Sequence, residues 1–255
     1  MKISVITPTS DRPHFLEGLY TLLKNQTHTD WEWLIYDSSL HPQTFADRRV
    51  VYFHDHDILT IGEKRNRLLE RATGEGIAHF DDDDYYAPTY LAHIAKQLEE
   101  AAFYNYHSWF SHDLKSSQTY YWATDEQANT QYIVNALSGS KVREIELGSL
   151  MAHQEEKLNY RGRTGFGFSF SYRKEVAEAC HFPDVDFAED RAFYEEALEK
   201  GFSLVAHPDR EGRVVHLFHD TNTSTEYPQY RIPLFLSQQI FPEFFSYLER
   251  FTREN

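Results

Sequence analysis

Short apolar runs alternate with amphipathic helical patterns through the first part of the chain, and this alternation constrains the fold more than any other feature. The predicted strands cover residues 3–6, 31–36, 50–53 and 77–80, and the predicted helices cover residues 15–23, 62–72 and 88–102. Strands that alternate with helices predict an α/β fold with a mainly parallel central sheet and right-handed crossovers.

Polar residues follow three of these predicted strands at the point where each strand ends. Thr7, Pro8 and Thr9 follow the first strand, Asp37 follows the second, and a run of aspartates that starts at Asp81 follows the strand at 77–80. Ligands of parallel α/β sheets bind beyond the carboxyl ends of the strands. The sequence therefore predicts a ligand site at this edge of the sheet.

The aspartate run, Asp81 to Asp84, is unfavourable without a counter-ion, because neighbouring carboxylates repel each other and aspartate is disfavoured in strands. Pleated geometry would place Asp81 and Asp83 on one face, with Asp82 opposite and Asp84 opening the next turn. One or two carboxylates completed by substrate phosphates suit Mg²⁺ or Mn²⁺. The alternative is a solvated acidic turn that caps the following helix.

Composition excludes several classes of protein. The net charge of −15, without a block rich in lysine and arginine, argues against nucleic-acid binding and disfavours an anionic polymer as a partner. The single cysteine, Cys180, rules out an internal disulfide framework and is predicted to be a buried apolar residue. We find no signal peptide and no apolar run long enough to span a bilayer, which predicts a cytoplasmic protein.

Two cations follow a predicted helix start. Thr60 and Glu63 form a capping box, and Lys64 and Arg65 then lie near the helix N-terminus, where the macrodipole disfavours positive charge. A bound anion at that end would reverse the sign of this interaction, which predicts a phosphate site. The alternative is that both side chains reach solvent or pair with the aspartates of the preceding loop.

A second pair of carboxylates, Glu189 and Asp190, opens a helix that is predicted to end at Gly201. The helix dipole alone favours acidic residues there. The functional alternative is a general base, which a reaction that releases phosphate needs in addition to its metal ligands. His216 and His219 are spaced three residues apart beside a polar loop, where a metal role and an ordinary polar role both stay open.

Between residues 103 and 165 the strand and helix patterns give way to aromatic and polar sequence. Trp109 and Trp122 lie in this segment and are predicted to stack on sugar rings of an acceptor, although dense aromatics can equally form a core. Residues 165–173 alternate large and small side chains and predict a half-buried strand.

Several sequence fragments stand in a distinctive order: ISVITPTSDR, the strand-end Asp37, TIGEKRNRLLERATGE, HFDDDDYY, FSYR, FAEDRAFYEEAL and HLFHDTNTS. In this order, over residues 1–225, they resemble the family 2 glycosyltransferases of the GT-A fold. The resemblance implies a single GT-A (Rossmann-like) domain at 1–225. Its nucleotide-sugar-binding half would be 1–102, its acceptor-binding half 103–225, and a C-terminal helical extension would follow at 226–255.

The resemblance also implies roles for individual residues, which we combine with the expectations above. The residues expected to bind the nucleotide sugar are Thr7, Pro8, Thr9, Arg12, Asp37, Lys64, Arg65, Asn66, Asp81 and Asp82. The expected metal ligands are Asp83, Asp81 and His219, with Asp82 a competitor because four aspartates leave the register open by one. Asp190 is the expected base and Glu189 its catalytic neighbour, and Trp109 and Trp122 are the expected acceptor-binding residues.

The implied reaction is an inverting, Mn²⁺- or Mg²⁺-dependent transfer of a hexosyl or N-acetylhexosaminyl group from a nucleotide sugar, with UDP the leading nucleotide, to a hydroxyl of a glycan or other acceptor. In the family, basic residues often follow the Glu-Asp pair further along its helix, whereas Tyr194, Glu195 and Glu196 stand there in this chain. Phosphate charge would then be met by the metal, Arg65, and Arg161, Arg163 or Arg173.

The sequence is also to be weighed against other functions. A sugar-phosphate nucleotidyltransferase would need a Gly-rich, basic loop after the first strand, which is absent. A non-catalytic nucleotide- or glycan-binding module is the alternative from another class of function. The few cations of the Phe-rich tail are balanced by acids, whereas a helix at a membrane surface usually has a basic face. We therefore expect the tail to pack on the domain or to form a homodimer. Peripheral membrane contact stays possible.

Overall fold

The computed structural model describes residues 1–57, 59–126, 130–135, 143–146, 166–220, 222 and 225–252. Among these residues the strands are β1 (Ile3–Thr9), β2 (Trp31–Asp37), β3 (Val50–His54), β4 (Gly76–His79), β5 (Tyr85–Tyr86), β6 (Phe103–Asp113), β7 (Gln118–Trp122), β8 (Thr130–Asn135), β9 (Arg143–Glu146), β10 (Ser171–Arg173), β11 (Leu204–Pro208), β12 (Val214–Phe218), β13 (Thr225–Glu226) and β14 (Tyr230–Ile232). The helices are α1 (Pro13–Lys24), α2 (Ile61–Leu69), α3 (Tyr90–Glu100), α4 (Lys174–Ala179), α5 (Glu189–Glu199), α6 (Leu234–Ile240) and α7 (Pro242–Thr252).

The chain forms two compact units from interleaved segments. The first unit comprises Met1–Asp83, Pro88–Asn105 and Phe166–Ala206. The second comprises the described residues of Asp84–Ala87, Tyr106–Gly165 and His207–Asn255. The predicted division at residues 102 and 225 stays a prediction.

The sheet of the first unit is mainly parallel, as predicted. Strands β3, β2, β1 and β4 are parallel neighbours in that order, and β10 adds to β4 in the antiparallel direction. The register sets Thr9 beside Asp37 and Asp37 beside His54. The polar carboxyl ends of the parallel strands therefore meet at one edge, where the sequence places the site.

The helices of the first unit bury the stripes that the sequence predicts. The stripe of α1 consists of Phe15, Leu16, Leu19, Leu22 and Leu23. Leu91, Ile94 and Leu98 of α3 are also buried. The Thr60 side chain caps α2 by accepting a hydrogen bond from the Glu63 amide at 3.2 Å, and Gly201 follows α5 with a φ of 79°, a left-handed conformation suited to glycine. Cys180 is buried, as expected.

The second unit is built around a long strand, β6, that the sequence pattern does not predict. Its larger sheet has the order β14, β7, β6, β12 and β5, and its smaller one the order β13, β8 and β9. Strand β6 spans 11 residues and is buried almost throughout, so it has no polar face. Without such a face the alternation typical of a strand disappears, which is why this segment reads as irregular.

Helices α6 and α7 lie in the C-terminal segment, where helices are predicted, and they belong to the second unit. Within that unit Phe244 lies 5.2 Å from Tyr85, and Phe241 lies 5.2 Å from Phe110, between ring centroids. The bounds of the extension stay a prediction. Within the described ranges, no helix has the length and apolar character needed to cross a membrane.

Candidate active site

The aspartate run begins where β4 has ended, at His79, and passes through a turn. Arg12 donates from one guanidinium nitrogen to Asp82 Oδ1 at 2.9 Å and to Asp83 Oδ2 at 2.7 Å. Asp81 instead accepts from Arg65 at 3.3 Å. The expectation that Asp82 opposes Asp83 across a pleat is therefore wrong, because the pleat stops before the run and the turn brings both carboxylates to one cation.

Burial separates this run from an ordinary acidic turn. Asp82 is 3% exposed and Asp83 6% exposed, so the solvated-turn alternative is wrong. Burial and the neighbouring Asp83 raise the pKa of Asp82, although Arg12 and a 2.5 Å hydrogen bond from Thr9 Oγ1 oppose that shift. Two closely spaced buried carboxylates require a cation, and Arg12 supplies one in this structure.

The two cations at the start of α2 turn inward. Lys64 Nζ donates to the Thr9 carbonyl at 2.9 Å, and burial lowers the pKa of Lys64. Arg65 is almost fully buried and donates from separate nitrogens to Glu189 and to Asp81. The alternative in which both side chains reach solvent is wrong. Arg65 connects the aspartate run to the acidic pair of α5.

The backbone at the N-terminus of α2 is already satisfied by the protein. The Ile61 amide donates to Asp186 Oδ1 at 3.0 Å, and the Gly62 amide donates to the Val185 carbonyl at 3.2 Å. The expectation that these amides bind phosphate is therefore wrong, since a loop before α5 occupies the position of the anion. The side chains of α2, and not its N-terminus, face the aspartate run.

Asp190 is held by backbone amides. Its Oδ2 accepts from the Gly167 amide at 2.7 Å, and its Oδ1 accepts from the Arg191 amide at 2.7 Å. Its neighbour Glu189 forms the buried ion pair with Arg65, and burial raises the pKa of Glu189. Of the two acids, Asp190 is therefore the one that is half-buried and not bound in an ion pair to Arg65.

Behind Asp190 lies a buried histidine that sequence reasoning missed. His79 is hydrogen-bonded through Nδ1 to the Gly167 carbonyl at 3.0 Å and through Nε2 to the Tyr172 hydroxyl at 2.9 Å. Burial lowers the pKa of His79 well below its usual range, so the ring is neutral. The carbonyl can only accept, so Nδ1 carries the proton and Nε2 accepts from Tyr172. The one feature of the sequence that could have indicated this histidine is that a polar residue ends an apolar strand.

The same contact explains why residues 165–173 are not one strand. Gly167–Ser169 form a 3₁₀ turn before β10 begins. The turn lets Gly167 reach His79 with its carbonyl and Asp190 with its amide. The predicted continuous strand is therefore wrong.

Asp37 lies at the predicted place but is fully buried. Its Oδ1 accepts from the Ser39 amide at 2.7 Å and its Oδ2 from the Tyr52 hydroxyl at 2.6 Å. Burial and this bond raise the pKa of Tyr52 to about 12. Asp37 thus orders the loop that follows β2, and its contact with a nucleotide stays a prediction.

Three other predicted nucleotide-binding residues also make contacts within the fold. Thr7 is fully buried and bonds to the Phe80 carbonyl at 2.8 Å, and Pro8 pairs with the neighbouring strand. The Asn66 side chain exchanges two hydrogen bonds with the backbone of Phe182, at 2.8 and 3.0 Å. The nucleotide-binding roles of these three residues stay predictions that this geometry weighs against.

Three other arginines, Arg161, Arg163 and Arg173, are expected to supplement Arg65 at the phosphates. Arg173 donates to the Leu98 and Glu99 carbonyls at the end of α3, and it pairs with Gly76 at the start of β4. The aspartates follow the other end of β4, so the expected phosphate role of Arg173 is wrong. Arg161 and Arg163 lie outside the described residues.

The second unit holds the predicted tryptophans and histidines. Trp109 and Trp122 are buried with ring centroids 5.0 Å apart, and Trp109 Nε1 donates to the buried Glu226 at 2.6 Å. This is the packing of a core, and the acceptor role of the two tryptophans stays a prediction that it weighs against.

Asp84, the last of the aspartates, is fully buried in the second unit and bonded to His216 Nδ1 at 2.8 Å and to the Leu217 amide at 2.9 Å. The His219 amide donates to Asn222 Oδ1 at 2.6 Å. In the described part of the chain no three histidine, cysteine or acidic side chains converge as a preformed metal site. The metal role of His219 stays a prediction.

The donor set at the aspartate run nevertheless suits a hard divalent cation. Asp81, Asp82 and Asp83 offer carboxylate oxygens, and the Asp81 side chain is 31% exposed, more than the other two. Arg12 already occupies the position of a cation between Asp82 and Asp83. Mg²⁺ and Mn²⁺ prefer such oxygen ligands and leave room for phosphate oxygens.

Comparison with solved structures shows the same fold. S. aureus TarS 1-349 aligns with a TM-score of 0.56 at 18% identity, over 85% of this chain and 60% of that one. TarS 1-349 in complex with UDP-GlcNAc aligns with a TM-score of 0.57 at 17% identity, over 87% of this chain and 60% of that one. The mannosyltransferase PcManGT of Pyrobaculum calidifontis, in complex with GDP-Man and Mn²⁺, aligns at 0.54 and 14% identity over 87% of this chain and 57% of that one.

Sequence comparison finds a relative and a family. TuaG of Bacillus subtilis (strain 168), a glycosyltransferase assigned to teichuronic acid biosynthesis, is 32% identical over 107 residues, which are 38% of this chain and 40% of TuaG. This chain therefore spans less than two thirds of the relatives it matches. The sequence model described as "Glycosyl transferase family 2" matches residues 4–180. The chain belongs to glycosyl transferase family 2 and has the GT-A fold.

Proposed function

We propose that the protein catalyses an inverting transfer of a sugar from a UDP-sugar to an acceptor hydroxyl, with Asp190 as the general base. The observation that carries this proposal is the position of Arg65, which bonds to Asp81 of the aspartate run and to Glu189 beside Asp190. It joins Asp81, which is expected at the donor diphosphate, to the residue next to Asp190, which is expected at the acceptor, and all of these residues lie within the first unit.

Asp190 fits the role of base by its hydrogen bonding. Each carboxylate oxygen accepts one backbone N–H, which leaves lone pairs on both oxygens for the acceptor hydroxyl. In the proposed reaction this hydroxyl attacks the anomeric carbon from the face opposite the diphosphate, and Asp190 takes its proton. A positioned carboxylate contributes about 10²–10⁴-fold to such a step.

Glu189 is proposed as the residue that positions Arg65. It is buried and ion-paired, so its carboxylate is committed to the guanidinium. Arg65 in turn holds Asp81 toward the donor side, and together with Arg12 and Lys64 it places positive charge near the expected diphosphate.

The proposed donor and metal rest on the chemistry of the aspartate run together with the relatives. TarS has been solved with UDP and with UDP-GlcNAc, and PcManGT with GDP-Man and Mn²⁺. We propose that Asp83 and Asp81 hold Mn²⁺ or Mg²⁺, with Asp82 as the competing ligand, and the metal role of His219 is a separate proposal. When bound, such an ion neutralises charge on the leaving diphosphate.

The acceptor is proposed to be a hydroxyl of a glycan or related compound. We further propose a cytoplasmic location and a homodimer that forms through the C-terminal extension. The test of the base depends on neither of these two proposals.

The experiment compares Asp190→Ala with the native protein and with Glu199→Ala, an exposed acid on the same helix. UDP binding is measured by calorimetry, and UDP release is measured on a panel of UDP-hexoses and UDP-N-acetylhexosamines. We expect Asp190→Ala to bind UDP within about twofold of native and to lose turnover by at least about a hundredfold. Retained turnover in Asp190→Ala would contradict the assignment.

A further inference from the structure

Phe187 is an exposed aromatic residue beside the proposed base. It is 67% exposed, and it stands three positions before Asp190 in the chain. Single exposed apolar residues are common on protein surfaces and need no explanation by themselves. What distinguishes Phe187 is the segment that presents it, residues 183–187, which we call the 183–187 loop.

The 183–187 loop is fastened to the start of α2 at several points. Asp184 accepts from Thr60 Oγ1 at 2.7 Å, and Asp186 accepts from the Ile61 amide at 3.0 Å. The Val185 carbonyl accepts from the Gly62 amide at 3.2 Å.

The packing there is close as well. A Cβ on Gly62 would lie 1.9 Å from the Pro183 carbonyl oxygen, so only glycine allows this approach. These contacts hold the residues that lead directly into Phe187.

The backbone between the loop and the base is strained. Ala188 has φ 63° and ψ 19°, a left-handed conformation that residues with a Cβ avoid. Such outliers persist where the surrounding structure enforces them, and they cluster at functional sites. Here the strained residue is the one that connects Phe187 to the first turn of α5.

We propose that Phe187 is an acceptor-binding residue whose ring stacks on the apolar C–H face of a neutral pyranose, with the attacking hydroxyl of that sugar directed at Asp190. This inference rests on the proposed function. Asp184 and Asp186 are both exposed and precede Phe187 by three residues and one residue, so they place negative charge close to it in the chain, which favours a neutral sugar over an anionic one. The tryptophans singled out from the sequence are buried, whereas Phe187 presents its ring to solvent.

The test is saturation-transfer NMR with UDP present and with three neutral probes: methyl β-glucopyranoside, methyl β-galactopyranoside and methyl N-acetyl-β-glucosaminide. The variants are Phe187→Ala and Phe187→Trp, and Leu198→Ala is the matched control because Leu198 is 57% exposed on the same helix as Asp190. Methyl β-glucuronide serves as an anionic probe. Calorimetric titration of UDP is run on every variant.

We expect the ring C–H protons of at least one neutral probe to receive saturation from the native protein, Phe187→Trp and Leu198→Ala. In Phe187→Ala the signal should fall by about fivefold or more, because the aromatic face is lost. UDP binding should stay within about twofold of native throughout.

The inference is overturned if no neutral probe responds, if Phe187→Ala keeps the signal, or if only the anionic probe binds. In each of those cases intact UDP binding leaves the proposed function standing. Failure of the native protein to bind UDP would instead overturn the proposed function, so the two failures are distinguishable.

Discussion

Gly167→Ala tests whether the position of Asp190 depends on the 3₁₀ turn. A Cβ at Gly167 would lie 2.9 Å from both Cβ and Oδ2 of Asp190, closer than carbon atoms approach without a shift. Either the carboxylate or the turn must move by about 0.5 Å to restore ordinary contact. The φ of Gly167 is not positive, so alanine adds no backbone strain.

The expected effect is on turnover and not on donor binding. Alanine keeps the amide that donates to Asp190, so the variant changes geometry while it preserves the hydrogen-bond donor. Catalytic groups must be held within about 0.5 Å of their productive positions, and a misplacement of about 1 Å can cost a hundredfold. Because the required shift of about 0.5 Å reaches this limit, we expect kcat to fall by about tenfold, with the Kd for UDP unchanged within about twofold.

The assay measures UDP release under saturating donor, UDP binding by calorimetry and the Tm. Gly201→Ala is the matched control. Its φ of 79° makes alanine unfavourable, and nothing lies within 4 Å of the added Cβ. It should lose about 1 kcal/mol of stability and keep native kcat. Native kcat in Gly167→Ala would refute the argument that Gly167 positions the base.

Two further substitutions test the electrostatics of the first unit. Burial raises the pKa of Glu32, but hydrogen bonds from Lys2, Ser4 and Thr73 outweigh it and lower that pKa to about 2. The ionised carboxylate therefore stabilises the fold above about pH 4.5, and this contribution is lost as the pH falls toward 2. In urea denaturation Glu32→Gln should lower the free energy of unfolding by about 3 kcal/mol at pH 7 and by much less at pH 3, whereas the exposed Glu17→Gln should change neither; equal losses for Glu32→Gln at both pH values would contradict the shift. Arg65→Lys keeps the charge but loses one of the two carboxylate bonds, so we expect about 2 kcal/mol less stability by denaturation and about a hundredfold lower kcat/KM, and native kcat/KM would show that the bridge is dispensable.

The sequence was sufficient to predict the parts of the fold that have one buried and one exposed face. The stripes of α1 and α3, the Thr60 cap and the Gly201 stop follow from local rules, and each is found in the structure. Strand β6 could not be predicted because it is buried on both faces. Its aromatic and small polar residues therefore show no alternation of apolar and polar side chains.

The site was predictable in its residue types but not in its contacts. The order of strand ends places the aspartates beside Thr9, and that position follows from the parallel sheet. The shared contact of Asp82 and Asp83 with Arg12 depends on the exact end of a strand, which is the least reliable feature of sequence-based prediction.

Two further contacts were beyond local reasoning. The link from His79 through Gly167 to Asp190 joins segments about a hundred residues apart, and no local pattern encodes it. Likewise, the closure of the α2 N-terminus by Asp186 could not be read from either segment alone.

The proposed function requires the aspartate run to bind a nucleotide diphosphate together with a divalent metal. The most direct measurement is calorimetric titration of UDP, with and without Mn²⁺, on the native protein and on Asp83→Ala. We expect Mn²⁺ to strengthen UDP binding by at least about tenfold in the native protein, and we expect this strengthening to be lost in Asp83→Ala. Mn²⁺-independent binding, or equal Mn²⁺ dependence in Asp83→Ala, would contradict the metal assignment, and no binding of UDP under either condition would contradict the donor site itself.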